Sequence, residues 1–295
     1  MLQQTEAPFE LLSQPMAITG KSPLWDEARC CVWWIDIQAQ RLLATTQDGS
    51  SRVVPTPSQP GFVTFADSGR LVLGLEDGLW TYAPENGNWE QQSDTESDRP
   101  TVRLNDGRPD RLGRLWFGSM DMTLSGKAIG RLYRRDFDGS IHVVREGVQI
   151  PNAIVPCGSG QDLLFTDSPS GVLEMLEVDP ATGAEISSRT IYRTNPGDTL
   201  DSACMDADGN FWVAVVGSGA VLHLSPSGRL LGRHQAPVSR PTAVTIGGKD
   251  GSSLFVTCQR RFLGPEALDE QPAAGGLLVK QLPVRAGPIC RVSGF

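Results

Sequence analysis

Apolar residues recur along this chain as short runs, each entered from a polar turn. The runs Cys31-Val32-Trp33-Trp34-Ile35, Leu71-Val72-Leu73, Leu115-Trp116-Phe117, Leu163-Leu164-Phe165, Phe211-Trp212-Val213 and Leu254-Phe255-Val256 follow turns at 26–29, 67–70, 110–113, 158–160, 206–209 and 247–251. A second short run begins after each, near Gln40, Gly78, Gly130, Gly171, Gly219 and Gly275. These segments are too short and too rich in β-branched and aromatic residues for amphipathic helices, so the pattern predicts an all-β chain. The six copies lie roughly 40 to 48 residues apart, the period of a propeller blade. A small sheet cannot bury both of its faces alone, so neighbouring copies must stack around a central channel, and the pattern predicts a six-bladed β-propeller. Such a ring has to close. The segment Phe9-Glu10-Leu11-Leu12-Ser13 is predicted to add a strand to the blade containing Gly275 to Lys280. Trp25, Trp33, Trp34, Trp116 and Trp212 are read as packing between blades rather than as cofactor contacts.

Composition narrows the picture. With 295 residues, 39% hydrophobic and 20% charged, the chain can bury a large core and is not of the disordered class. No linker or shift of composition divides it, and a single domain over 1–295 is expected. A formal net charge of -8 argues against nucleic-acid and anionic-membrane partners, which need a basic face. Arg260-Arg261 and the arginines between Arg131 and Arg135 are read as solvated strand ends. No apolar stretch approaches the roughly 20 residues of a membrane span, and Met1 to Glu6 shows no leader pattern, so a cytoplasmic protein is expected. The six cysteines form no metal-binding pattern and are read mainly as small buried hydrophobes. No organic cofactor is called for; a small-molecule substrate and a monomer or weak homo-oligomer are expected.

Candidate chemistry lies in four polar segments at the same phase of different repeats, just before the apolar runs. They are Gly20-Lys21-Ser22-Pro23-Leu24-Trp25-Asp26, Arg103-Leu104-Asn105-Asp106-Gly107, Ile150-Pro151-Asn152-Ala153 and Leu200-Asp201-Ser202. Equivalent phase in a radial fold means convergence in space. Singly, each has a plainer reading: Arg103 bracing loops through Asp106, Asn105 and Asn152 capping turns. Together they favour a site. His142, His223 and His234 fall away from this phase, which argues against a histidine triad or a zinc site. Ser119, Ser168 and Ser202 lack the elbow motif of serine hydrolases.

The runs Ser22 to Glu27, Arg103 to Asp110, Gly118-Ser119-Met120-Asp121, Asp206 to Ala214 and Gly247-Gly248-Lys249 resemble the SMP-30/gluconolactonase/regucalcin family over nearly the whole chain. The resemblance implies a six-bladed propeller that hydrolyses sugar lactones or related esters with one divalent cation (Ca, Mg, Mn or Zn) in its channel. Carried over by residue, it implies Asn152 and Asp201 as metal ligands, and Arg103 and Asn105 as substrate-binding residues.

The departure from that pattern carries the mechanistic expectation. Family members read Gly-Glu-(Gly or Ser)-Pro where this chain reads Gly20-Lys21-Ser22-Pro23, so an ammonium replaces a carboxylate ligand. A cation between Asn152 and Asp201 would lose one anionic ligand and gain a like charge, at a cost of several kcal/mol at an effective dielectric of about 20. The Lys21 ammonium is therefore expected to stand in the ion's place, paired with Asp201 and accepted by the Asn152 carbonyl. Lys21 would polarise a substrate carbonyl and Asp201 would activate water, with Arg103, Asn105 and Asp121 binding substrate. Two other readings stay open: a Schiff-base lyase or isomerase built on Lys21, and a catalytically silent small-molecule-binding propeller.

Overall fold

The computed structural model describes residues 8–13, 16–158 and 160–295; Met1 to Glu6 and Ser159 of the first polar turn in the fourth repeat lie outside them. The described residues form six four-stranded antiparallel sheets. The first strand in the chain, β1 (Glu10–Ser13), is set apart from the others. The first blade holds β2 (Gly20–Asp26), β3 (Cys31–Asp36), β4 (Arg41–Thr46) and β5 (Ser51–Pro55); the second holds β6 (Pro60–Phe65), β7 (Leu71–Leu75), β8 (Gly78–Ala83) and β9 (Asn88–Ser93). The third blade comprises β10 (Val102–Pro109), β11 (Leu115–Asp121), β12 (Gly130–Arg135) and β13 (Ile141–Val148), and the fourth β14 (Pro151–Cys157), β15 (Asp162–Asp167), β16 (Val172–Val178) and β17 (Glu185–Arg193). The fifth has β18 (Thr199–Met205), β19 (Phe211–Val216), β20 (Ala220–Leu224) and β21 (Leu230–Gln235). In the sixth, β22 (Pro241–Gly247), β23 (Ser253–Cys258) and β24 (Leu277–Gln281) are completed by β1, with Leu11 opposite Leu278 and Glu10 opposite Val279. A short helix, α1 (Pro265–Glu270), lies between β23 and β24. This is the predicted six-bladed β-propeller, closed by the predicted N-terminal strand.

The apolar runs are the second strands of their blades, and the polar segments that precede them are themselves strands, β2, β10, β14 and β18. Their hydrophobic alternation is broken by polar channel-facing residues, which is why the pattern alone reads them as approaches to a strand.

The core is six seams rather than one centre. Trp33, Ile35 and Leu42 meet Val63, Phe65 and Leu73 between the first two blades, while Phe62 and Val72 meet Leu104 and Phe117 between the second and third. Trp116 joins Ile154 and Phe165, Val155 and Leu164 join Ala203 and Val213, Trp212 joins Val244 and Val256, and Trp34 joins Phe255 and Leu277. Trp25 stacks on Phe255 with ring centroids 5.7 Å apart, across the closing seam. Trp25, Trp33, Trp34, Trp116 and Trp212 thus serve packing between blades. The buried indoles of Trp33, Trp116 and Trp212 donate to Asp26, Asp110 and Asp206, each at 3.0 Å, so one carboxylate satisfies both an indole and the backbone of its turn.

Two arginines expected to be solvated are not. Arg134 is buried, with an ion pair to Asp136 at 2.7 Å and its guanidinium over Trp116. Arg135 donates to the carbonyls of Ser293 and Gly294 at 3.1 and 2.9 Å and lies on Phe295. It anchors a C-terminal strap that runs across the blade ends, with Ala207 N bonded to Arg285 O, Val292 N to Phe65 O and Ser293 N to Gly113 O. The buried thiols of Cys31, Cys204 and Cys258 are pushed up to about 12 by burial, in keeping with their reading as small hydrophobes. Among the described residues no helix is long and apolar enough to cross a membrane.

Neighbouring inner strands approach to backbone contact. A Cβ placed on Gly61 would stand 2.1 Å from the Leu104 carbonyl oxygen and 2.8 Å from Asn105 Cα, and neither can move without shifting β10. Gly69 has a positive φ of 85° but nothing within 4 Å of such a Cβ. Gly61→Ala is therefore expected to cost about 3 kcal/mol and Gly69→Ala about 1 kcal/mol, read from denaturant midpoints. Equal losses at the two positions would contradict the close seam.

Candidate active site

The innermost strand of every blade carries a bulge near its channel end. The register shifts fall between Lys21 and Leu24, Pro60 and Phe62, Leu104 and Gly107, Asn152 and Val155, Leu200 and Ala203, and Pro241 and Ala243. An extra residue breaks the strict alternation of faces and re-aims a side chain. Ser22 and Ala153 take positive φ values of 53° and 49° in two of these bulges. The predicted convergence of the polar segments follows from this shared irregularity.

Lys21, Arg103, Asn105, Asn152 and Asp201 line one cavity of about 190 Å³ at the channel end where the inner strands begin. Lys21 Nζ donates to Asn152 Oδ1 at 2.8 Å and to Asp201 Oδ1 in a short ion pair. Asn105 Nδ2 donates to Asn152 Oδ1 at 3.2 Å and to the Pro151 carbonyl at 2.9 Å, and Asn152 Nδ2 donates to Ser168 Oγ at 2.8 Å. Arg103 Nη1 donates to Asn105 Oδ1 at 2.9 Å and to the Leu104 carbonyl at 2.8 Å. Among the described residues none accepts from Nε or Nη2 of Arg103, which leaves a fork of donors for a ligand.

Burial and the nearby Arg261 guanidinium push Arg103 down to about 10, so it stays charged at neutral pH. Desolvation in the channel pushes the Asp201 carboxyl up from the ordinary carboxylate value, with the Lys21 ammonium opposing it.

Asp121 lies apart from this group. Its Oδ1 accepts from Thr123 N and Oγ1 at 2.9 and 2.6 Å, and its Oδ2 from Ser125 N at 3.1 Å and from Ser125 Oγ. Those bonds hold it down to about 2 and consume both oxygens in a turn, while Met120 and Leu124 beside it line the cavity instead. Its expected part in substrate binding is not what the geometry shows. Asp106 likewise does not brace Arg103: its Oδ2 accepts from Ser202 Oγ at 3.1 Å and Ile154 N at 3.4 Å, tying three inner strands together.

Arg240, Gln259, Arg261 and Phe262 of the sixth blade complete the lining and were not anticipated. Arg240 immediately precedes the bulged inner strand β22, so applying the phase argument to the sixth repeat would have found it. Arg261 was read as a solvated strand end; two backbone bonds to the Ile18 carbonyl, from Arg260 N and Arg261 N, turn it toward the channel mouth. The three histidines sit on outer strands, His223 and His234 stacked on Trp212.

The donor set does not fit a divalent cation. Asn152 Oδ1 already accepts two hydrogen bonds, one of them from an ammonium that also pairs with Asp201. Among the described residues no group of three or more His, Cys, Asp or Glu is placed to hold a metal ion.

Residues 19–260 match the family described as the SMP-30/Gluconolactonase/LRE-like region. The chain is 27% identical over 269 residues to a putative sugar lactone lactonase, YvrE, of Bacillus subtilis, covering 90% of this chain and 92% of that protein. It is 28% identical over 268 residues to a 6-deoxy-6-sulfogluconolactonase of Pseudomonas putida, covering 90% and 91%. Among solved structures, a calcium-binding regucalcin of Agrobacterium tumefaciens superposes with a TM-score of 0.90 at 25% identity, covering 97% of this chain and 98% of that one.

Replacing the ammonium by a carboxylate removes the positive charge and frees one lone pair on Asn152. Lys21→Glu is expected to acquire a rise in unfolding temperature in millimolar Ca²⁺ or Mn²⁺ that EDTA reverses, equivalent to about 2.7 kcal/mol with the ion at 100 times its Kd. The unsubstituted protein is expected to show no such rise; an equal one would contradict the assignment of Lys21 to that position.

Proposed function

The chain belongs to the SMP-30/gluconolactonase/LRE-like family, and from that premise we propose that it is a lactonase-like hydrolase whose channel lysine acts where a metal ion would otherwise be needed. Its substrate is a small, carbonyl-bearing, polyhydroxylated lactone or related ester. The observation that carries this reading is the Lys21 ammonium held between Asn152 Oδ1 and Asp201 Oδ1. An ammonium has three donors; these two acceptors take two and leave the third for a ligand oxygen.

In the reaction that this arrangement supports, Asp201 removes a proton from water as the water oxygen bonds to the acyl carbon. The carbonyl π electrons move onto oxygen, where the developing charge meets Lys21 and the unspent fork of Arg103. Collapse of the tetrahedral species expels the ring oxygen, which recovers the proton from Asp201 and leaves the open hydroxy acid. Fixed donors aimed at such an oxyanion typically contribute about 3 to 4 kcal/mol. Asn105 sets the Asn152 amide and the Arg103 fork, so it positions rather than reacts. The Schiff-base reading is less well supported, because Lys21 Nζ is already bonded to two acceptors, Asn152 Oδ1 and the Asp201 carboxylate, rather than left unpartnered to attack a carbonyl.

Hydrolysis of a panel of sugar lactones, followed by proton release, tests this. We expect turnover that 5–10 mM EDTA, as an order of magnitude, leaves unchanged. Lys21→Met and Asp201→Asn are each expected to lower kcat by about 10²- to 10³-fold. Strong chelator sensitivity would remove the lysine mechanism, and no turnover across the panel would favour a binding protein.

Acid must protonate Asp201 before it stops acting as a base, and channel burial raises that carboxyl. The acid limb of kcat/KM is therefore expected above the ordinary carboxylate value of about 3.9, and to disappear from that range in Asp201→Asn. A limb at or below 3.9 would sink the role of Asp201.

A further inference from the structure

The cavity is strongly cationic in an otherwise acidic protein. Lys21, Arg103, Arg240 and Arg261 line it against the single carboxylate of Asp201, an excess of three positive charges in a chain of net charge -8. Lys21 is paired with Asp201, so the surplus lies entirely on the three guanidiniums. Among the described residues none of those three forms an ion pair with a carboxylate. With the Gln259 amide turned so that its oxygen rather than its nitrogen faces Arg240, that oxygen accepts from Arg240 Nε and Nη2 at 3.2 and 3.3 Å; both Arg240 and Arg261 lie over the Phe262 ring, with centroid distances of 5.4 and 4.7 Å. Neither a neutral amide nor a ring cancels a formal charge. Glu76 and Asp201 act on Arg103 only as more distant charges.

Mutual repulsion of this kind costs stability unless something anionic joins it. Burial first, and then the charge of Arg261, push Arg103 down, so the second of these guanidiniums already disfavours the charge on the first. Neutral hydroxyl groups would be served by asparagine or serine, residue types the lining also offers in Asn105, Asn152 and Ser168. Planar guanidinium forks suit oxyanions, which they bind in bidentate fashion.

The geometry points to a second anionic group on the substrate, a carboxylate, sulfonate or phosphate remote from the acyl carbon, held at the channel mouth by Arg240 and Arg261. This rests on the hydrolase reading for which end is the acyl end: Lys21 and Asp201 take the carbonyl, and the sixth-blade arginines take the far terminus. The Phe262 ring lies beneath both guanidiniums and gives them an apolar support at the mouth. The Ile18 carbonyl, accepting from both Arg260 N and Arg261 N, fixes the loop that carries Arg261 and Phe262, and the Arg240 carbonyl accepts from Gln259 N at 3.0 Å. A cavity of about 190 Å³ admits one monosaccharide-sized molecule, so both charges belong to one ligand.

Binding, not turnover, tests it, by calorimetry on the intact protein with three sugar acids of equal chain length. D-gluconate carries one anion; D-glucarate adds a terminal carboxylate and 6-phospho-D-gluconate a terminal phosphate. We expect at least one of the two doubly functionalised acids to bind about tenfold or more tightly than gluconate, the better one identifying the oxyanion class. That preference is expected to shrink as KCl is raised from about 20 to 500 mM, and to fall below about threefold in Arg240→Gln/Arg261→Gln. Equal affinity for all three acids, or a preference that survives both salt and the double substitution, would overturn the inference. The salt series needs no substitution and stands even if the variant fails to fold. Absence of lactone hydrolysis would remove the proposed reaction while leaving these ratios intact, and equal ratios with hydrolysis preserved would remove only the anion site.

Discussion

Closing six sheets into a ring leaves each innermost strand with an edge that no further strand can cover, and the backbone and side chains along those edges must find partners across the channel. An unpaired strand edge is costly when buried and adhesive when exposed. Here the edges are stitched side to side by short polar side chains. Ser22 Oγ donates to the Val63 carbonyl and accepts from Val63 N, Asn105 donates to the Pro151 carbonyl, Asp106 accepts from Ile154 N and Ser202, and Thr242 donates to the Gly20 carbonyl. The bulges belong to the same solution, because an unbroken ladder would send alternate side chains into the sheet faces rather than into the channel.

The reactive cluster is built on that stitching. Asn152 can present its carbonyl oxygen to Lys21 only because Ser168 and Asn105 hold the amide in one orientation. The pairing of Lys21 with Asp201 spans the first and fifth blades, so a charge pair that costs desolvation on both sides also reports whether the ring is closed. Buried pairs of this kind are weak evidence for stability; their more dependable effect is to favour one arrangement over others. In this channel that arrangement puts a fixed positive donor on the axis, and the surplus of guanidinium charge at the mouth extends the same field outward.

The fold was legible because it rests on repetition. Apolar runs such as Leu115-Trp116-Phe117 and Phe211-Trp212-Val213, each set behind an aspartate-bearing turn, announce a blade whatever surrounds them, and the aspartates proved to hold the indoles as well as the turns. Position within the repeat was equally informative for Lys21, Arg103, Asn105, Asn152 and Asp201, since phase along a strand becomes angle around a channel. Sequence reasoning fell short for Asp121, which was expected to bind substrate but whose oxygens are taken by Thr123 and Ser125, a local competition of side chain with backbone. It failed in the other direction for Arg134 and Arg135, which a charge run suggested were solvated and which instead brace a seam and a terminal strap.

By itself, then, the amino-acid order determined the number of blades, the strand that closes them and the set of polar residues that share one radius, because each of these follows from local periodicity repeated at a constant interval. The meeting of Lys21 with Asn152 and Asp201, 131 and 180 residues away, was expected from the motif it departs from; only the tertiary structure decided that Arg240 and Arg261 join Arg103 at the mouth. Electrostatic pairing depends on separation in space, and in a ring residues far apart along the chain become neighbours by rotation about an axis that no stretch of sequence contains.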